Sequence, residues 1–205
     1  MDPSQTKFQQ AYERINGVFS TGAASARDKL RRMMKREINF EVSGVEEIPF
    51  EEVASYRFPP DVPVAMVLLR IQGTAGSGFL AFVMFEESAK KVNQILWEEA
   101  PEASEVLNTS NISALKEMGN IVGSCLLSEL ANASGLELRP SEPLFVYDMM
   151  AAMIQTLLLE QSCDSERAIL TDTRISSEQE GLSFDILFFP SKELCDNLCQ
   201  GLMAS

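Results

Sequence analysis

The chain contains no histidine, and its four cysteines (Cys125, Cys163, Cys195 and Cys199) form no dense spacing pattern. Free thiols in a reducing compartment suit such cysteines better than a disulfide framework. Cys195 and Cys199 can face each other across one helical turn, but no second pair stands near to complete a zinc site, so no metal is expected. No glycine-rich phosphate loop occurs either. Positive charge is scarce, with seventeen basic against thirty acidic residues and a net charge of −13. That balance argues against nucleic acid or an anionic membrane as the main partner, because both need clustered positive charge.

Long apolar runs are missing as well. Val64 to Leu69 and Met149 to Leu159 are too short or too interrupted to span a bilayer of about 30 Å. The opening Met1-Asp-Pro-Ser-Gln-Thr has neither the basic segment nor the apolar run of a secretion signal. A cytoplasmic protein without membrane insertion is therefore expected. What is present is a chain of 205 residues, 45% hydrophobic, with ample length for a core.

One stretch carries most of the information. From Ser113, Leu115, Met118, Val122, Leu126 and Leu130 recur at helical spacing and need a surface to be buried against. Ser113, Glu117, Asn120 and Ser124 fall on a single line down another side of the same helix. Such a polar line usually does no more than meet water. Asn, however, is a poor residue inside a helix, and Gly119 beside it costs about 1 kcal/mol relative to Ala. Gly119 and Gly123 fit two readings, close helix packing or clearance for a partner.

The pattern occurs twice. Gln9, Glu13, Asn16 and Ser20 repeat the spacing 104 positions earlier, with Phe8, Ile15, Phe19, Ala23, Ala26 and Leu30 supplying an apolar side. The remaining elements follow suit. The first helix is predicted over Ser4 to Met34 with Ser4 as cap. Strand Ile38 to Ser43, a short helix from Pro49 to Ser55 with Pro at its first turn, a hairpin of Val64–Ile71 and Gly78–Phe85, and a helix over Glu86 to Glu99 complete the first half. The second half has the motif helix Ser113 to Ser134 ended by Gly135, then strand at Leu136–Leu138 and Leu144–Tyr147. Asp148 caps a helix over Met149 to Gln161; strands Ala168–Ile175 and Leu182–Phe189 follow, and a last helix begins at Ser191 or Lys192.

The expected architecture is α/β (α+β): one domain over residues 1–205, built from two repeats (about 4–100 and 111–205). An antiparallel sheet would carry the two long motif helices with pseudo-two-fold symmetry. Arg27, Lys29, Arg31, Arg32, Lys35 and Arg36 close the first helix. They read as charges complementing its C-terminal dipole, or as a patch for an acidic partner.

Ser113, Glu117 and Asn120, followed after twenty-two residues by Pro143, resemble the signature of the CheC/CheX/FliY family of chemotaxis phosphatases. The resemblance extends to the duplication and the chain length. The first copy departs from it, with Gln9 where Asp or Ser is wanted and Asn39 where Pro is wanted. The resemblance implies a protein aspartyl-phosphate phosphatase acting on a phosphorylated CheY-type receiver domain. Catalytic residues would be Glu117 and Asn120, with Glu13 and Asn16 in the weaker copy. Asn120 would orient a water and Glu117 would bind the regulator's lysine. Ser113, Gln9, Pro143 and Asp148 would border partner contacts. No cofactor of its own is implied, because the regulator carries its Mg2+. The competing expectation is a non-catalytic module that binds a receiver domain, or the deamidase CheD through the helix following Asp148.

Overall fold

The computed structural model describes residues 3–34, 37, 39–49, 52–53, 58–59, 61–92, 96, 107–160, 167–176 and 181–204; within these, 3–12, 34, 43–47, 157–160, 167–172, 174–176 and 181–182 are described by backbone alone. In chain order the elements are α1 (Pro3–Met34), β1 (Asn39–Pro49), β2 (Pro63–Gln72), β3 (Gly78–Phe85), α2 (Glu86–Lys90), α3 (Thr109–Ser134), β4 (Arg139–Pro140), β5 (Leu144–Met149), α4 (Met150–Glu160), β6 (Arg167–Ser176), β7 (Gly181–Pro190) and α5 (Lys192–Ala204).

The strands form one antiparallel sheet in the order β1-β6-β7-β3-β2-β4, with β5 also paired to β2. Exchanging each first-half strand for its second-half counterpart (β1 for β5, β2 for β6, β3 for β7) reverses this order without altering it. At the centre Phe82 pairs with Ile186, its counterpart 104 positions on. The long helices meet on the same relation: Ser25 donates to the Glu129 carboxylate at 3.1 Å, a separation of 104 residues. Gly22 approaches Leu126 so closely that a Cβ there would lie 2.8 Å from its side chain.

Burial divides between the two faces. On one, Ile15, Phe19, Ala26 and Leu30 of α1 and Leu115, Met118, Val122, Leu126 and Leu130 of α3 pack on Val67, Leu69, Leu80, Phe82, Ile186 and Phe188 of the sheet. Each of these buried Val, Leu, Ile, Phe and Met side chains contributes about 1.5–3 kcal/mol. Phe19 meets Phe188 edge-on with centroids 6.0 Å apart. On the other face Met150, Met153 and Ile154 of α4, with Val53 and Phe58, cover Val64, Met66, Ala81, Val83 and Leu187.

The repeats are not copies in detail. Where α3 has Gly123 over Leu69, the positions 104 earlier on the helix and 104 later on the sheet hold Phe19 and Thr173.

Several expectations need correction. Pro49 does not begin a helix; it ends β1, an edge strand, where it faces Arg167 and its missing N–H costs no central ladder bond. Within the foreseen span Glu52 and Val53 are helical, and the rest of 50–57 lies outside the described residues. Leu136–Leu138 is not a strand. The ladder begins at Arg139 and includes Pro140, which faces Ile71. Ser4 lies inside α1 rather than capping it. The helix foreseen over Glu86 to Glu99 stops at Lys90, where the Lys91 N–H turns back on the Ser88 carbonyl at 3.2 Å; Ala89, Val92 and Leu96 are buried, whereas Ile95 lies outside the described residues. Of the basic cluster, Arg27 pairs with Asp28 at 3.3 Å and Arg31 pairs with Glu37; Lys35 and Arg36 lie outside the described residues.

Candidate functional site

Helix α3 starts earlier than its polar line requires. Asn108 caps it by accepting the Asn111 N–H at 2.8 Å, and Asn111 Oδ1 accepts the Asn108 N–H in return at 3.3 Å. This reciprocal pair satisfies two orphan N–H groups of the first turn. Buried Asn111 also donates through Nδ2 to the Lys90 carbonyl at 3.3 Å, which ties the start of α3 to α2. At the other end Gly135 adopts φ 71°, a left-handed conformation suited to glycine, and its N–H closes on the Ala131 carbonyl at 2.9 Å.

Between these ends the glycines fix the height of the helix. A Cβ on Gly119 would stand 2.7 Å from Val67 Cγ1, and one on Gly123 would collide with the Leu69 side chain. Both glycines therefore face the sheet, and of their two readings close packing is the one realised. Asn120 follows Gly119 by about 100° around the helix. It lies nine residues, or about two and a half turns, from Glu129, so it faces away from α1 and towards the side where α3 contacts β5. Asn120 and Ser124 are half-buried, and Glu117 and Ser113 are exposed. None of the four turns into the core.

The edge strand completes this side. Phe145, opposite Val67, packs into the helix-bearing layer, so Tyr147 and Met149 share its face. Val146 packs into the opposite layer, which places Asp148 on that other side of the sheet. Asp148 sits in β5 and accepts the Met149 N–H at 2.7 Å rather than capping from a loop. The structure thus brings Ser113, Glu117 and Asn120 together and separates Asp148 from them. Pro143 is half-buried just ahead of β5. The turn before it is pinned to β2, where the Ser141 N–H donates to the Arg70 carbonyl at 2.8 Å and Ser141 Oγ accepts the Arg70 N–H at 2.9 Å. That turn sets where β5 runs alongside α3.

In the first copy Glu13, Asn16 and Ser20 are exposed on α1, and Ser20 Oγ donates to the Asn16 carbonyl at 3.0 Å. Gln9 falls on the part of α1 outside the described side chains, and Asn39 opens β1.

A second cluster adjoins the start of α3. The Tyr147 hydroxyl donates to the Glu86 carboxylate, and Lys90 Nζ lies 2.5 Å from Glu86 Oε1. The Lys90 ammonium, then the Tyr147 hydroxyl, hold the Glu86 carboxyl below its usual range, while hydrogen bonding to Glu86 raises the Tyr147 phenol. Beside this cluster a groove of about 630 Å³ is lined by Val62, Pro63, Phe85, Glu86, Glu87, Ser88 and Lys90. Sequence reading missed these groups. The Asn108–Asn111 spacing and the Glu86–Lys90 pair, four apart, were the available signals, but Tyr147 gave none. On α5 the Cys199 thiol is lowered by a hydrogen bond with Cys195, and Cys125 is buried; Cys163 lies outside the described residues. Among the described residues no group of three or more potential ligands could hold a metal, and no helix is long and apolar enough to cross a membrane.

No family model matches the chain. Its sequence is 29% identical over 195 residues to the CheY-P phosphatase CheC of Bacillus subtilis, covering 93% of both proteins. Its fold is similar to the crystal structure of Thermotoga maritima FliY, with a TM-score of 0.75, 16% identity, and 95% and 96% of the two chains covered. It is also similar to a chain in the CheX–CheY–BeF3–Mg2+ complex from Borrelia burgdorferi, with a TM-score of 0.52, 18% identity, and 86% and 97% covered. Resemblance to the CheC/CheX/FliY family therefore extends over most of the chain, in sequence towards CheC and in fold towards FliY and CheX.

Proposed function

We propose that this protein is a cytoplasmic chemotaxis phosphatase that hydrolyses the aspartyl phosphate of a CheY-type receiver domain. The observation that carries the proposal is the placing of Glu117 and Asn120 one turn apart on the outward side of a helix whose apolar side grips the sheet. Similarity to a CheY-P phosphatase over nearly the full chain supports the substrate class.

The reaction is in-line attack of water on phosphorus, with the acyl P–O bond breaking to return a free aspartate and inorganic phosphate. A receiver domain brings its own Mg2+ and lysine, so much of the charge stabilisation belongs to the substrate. What remains is placement of the water. An amide offers both an acceptor and donors and does not titrate near neutrality, so Asn120 orients the water without acting as a base. Half-burial limits the rotamers open to that amide. Glu117, exposed one turn earlier, pairs with the receiver's lysine and sets the docking register. Ser113 extends the contact line, and Pro143 shapes the turn that leads into β5. Glu13 and Asn16 form a second, weaker site on α1.

The test is the decay of acyl phosphate from a phosphorylated receiver domain with and without this chain. Acceleration by the unaltered protein, with Glu117→Ala raising KM more than it lowers kcat, is the expected result. Binding without acceleration would assign the chain to the non-catalytic class, which shared fold alone leaves open.

A further inference from the structure

The motif line from Ser113 to Ser124 advances eleven residue steps, about 16 Å of helix. A stable domain contact takes about 800 Å² from each partner, more than one polar helix line supplies. A receiver placed on Asn120 must therefore also rest on what flanks α3. On one flank stands α1. On the other, the side that Asn120 faces, the edge strand β5 presents Tyr147 and Met149 on the helix-bearing face, 41% and 49% exposed.

We propose that Tyr147, with Met149 beside it, is a docking and specificity-determining contact for the receiver domain on which Asn120 acts. The partner surface it fits is an apolar patch flanking the acyl-phosphate pocket. This inference rests on the function proposed above and names a part of the interface which that reading leaves open.

Three features fit Tyr147 for the role. Its ring is held before any partner arrives, because its hydroxyl donates to Glu86 and Glu86 is paired with Lys90. The Lys90 carbonyl in turn accepts from Asn111 at the start of α3, so the ring is tied to the helix that carries Glu117 and Asn120. A pre-ordered aromatic loses little freedom on binding, which is why tyrosine recurs among the residues that dominate interfaces. Finally, Tyr147 faces Ala65 on β2, two residues along the strand from the Val67 that lies under Gly119. It therefore stands beside the N-terminal turns of the motif line rather than at a remote edge.

The experiment compares Tyr147→Ala, Tyr147→Phe and Met149→Glu with the unaltered full chain. Dephosphorylation kinetics on a phosphorylated receiver domain are read together with direct binding to the same domain carrying beryllofluoride. Tyr147→Ala is expected to raise KM and weaken binding about tenfold, with kcat changed less than twofold. Tyr147→Phe, which keeps the ring, stays within about threefold, and Met149→Glu weakens binding as Tyr147→Ala does. Unchanged KM and binding in both Tyr147→Ala and Met149→Glu, or a loss confined to kcat, would overturn the proposal. So would dissociation of a homodimer by Tyr147→Ala with KM unaltered, which would assign the edge to a second copy of the chain. Asn120→Ala, run in parallel, separates the failures: if it hydrolyses normally the underlying function falls, and if it is inactive while Tyr147→Ala behaves as the unaltered protein, only the docking role falls.

Discussion

Replacing Gly119 by Ala places the close helix-to-sheet contact in opposition to the helix propensity of the same residue. The added Cβ would lie 2.7 Å from Val67 Cγ1, 3.3 Å from Val67 Cβ and 3.5 Å from Phe82 Cδ2. Val67 is β-branched and stiff at χ1, and it sits at 0% exposure between β3 and β5, so it has little room to turn aside. Overpacking of this kind costs about 1–3 kcal/mol. Ala gains about 1 kcal/mol over Gly in a helix interior. The balance is a net loss of about 1 kcal/mol, or about 2–4 °C in Tm for a domain of this size. Urea titration with an unchanged m-value gives the cleanest reading. A second variant fixes the cause: in a Val67→Ala background the clash disappears, and Gly119→Ala becomes neutral or stabilising, a non-additivity a double-mutant cycle reports. If Gly119 served instead to clear space for a partner, Gly119→Ala would stabilise the free protein by about 1 kcal/mol. A rise in Tm in the otherwise unaltered chain would refute the packing argument.

Two further outcomes concern the start of the motif helix and its neighbour on β5. Asn111→Ala removes a reciprocal cap and the contact with the Lys90 carbonyl, and should destabilise the fold by about 1–2 kcal/mol in thermal or urea unfolding. Tyr147 should ionise above the ordinary tyrosine range, and Glu86→Gln should bring it back, as followed by phenolate absorbance. Because the phenol is raised in the folded state, its contribution is present below the unfolded value and is lost as pH rises through the folded one. Glu86 is lowered, so its contribution is present above the unfolded carboxyl value and is lost as pH falls through the folded one.

The parts of this molecule that were legible in its sequence are those where one local rule acts unopposed. Leu115, Met118, Val122, Leu126 and Leu130 recur at helical spacing, and all five are buried. Gly135 ends α3 in the left-handed conformation that a glycine stop implies. The 104-residue repeat predicted a two-fold arrangement, and the strand order and the Phe82–Ile186 pair follow it. Expectation failed where tertiary pairing overrides local preference. Pro49 reads as the first turn of a helix and Pro140 as a gap between two strands, yet both sit in strands at or beside a sheet edge, where a missing N–H is tolerated. β1 continues through Glu46 and Glu47, poor strand formers, because β6 pairs with them across a register shift. Asp148 was expected beside the site as a cap. Strand alternation along β5 instead sends it to the opposite face and brings up Tyr147, whose role depends on Glu86, sixty-one residues away.

The most direct measurement of the central claim is the rate of acyl-phosphate loss from a phosphorylated receiver domain at saturating levels of unaltered chain and of Asn120→Ala, with binding and Tm measured on the same samples. The account predicts that Asn120→Ala binds the receiver and unfolds as the unaltered protein does, but loses hydrolysis by about 100-fold, with Asn16→Ala affected less. Hydrolysis by Asn120→Ala at the unaltered rate would contradict it.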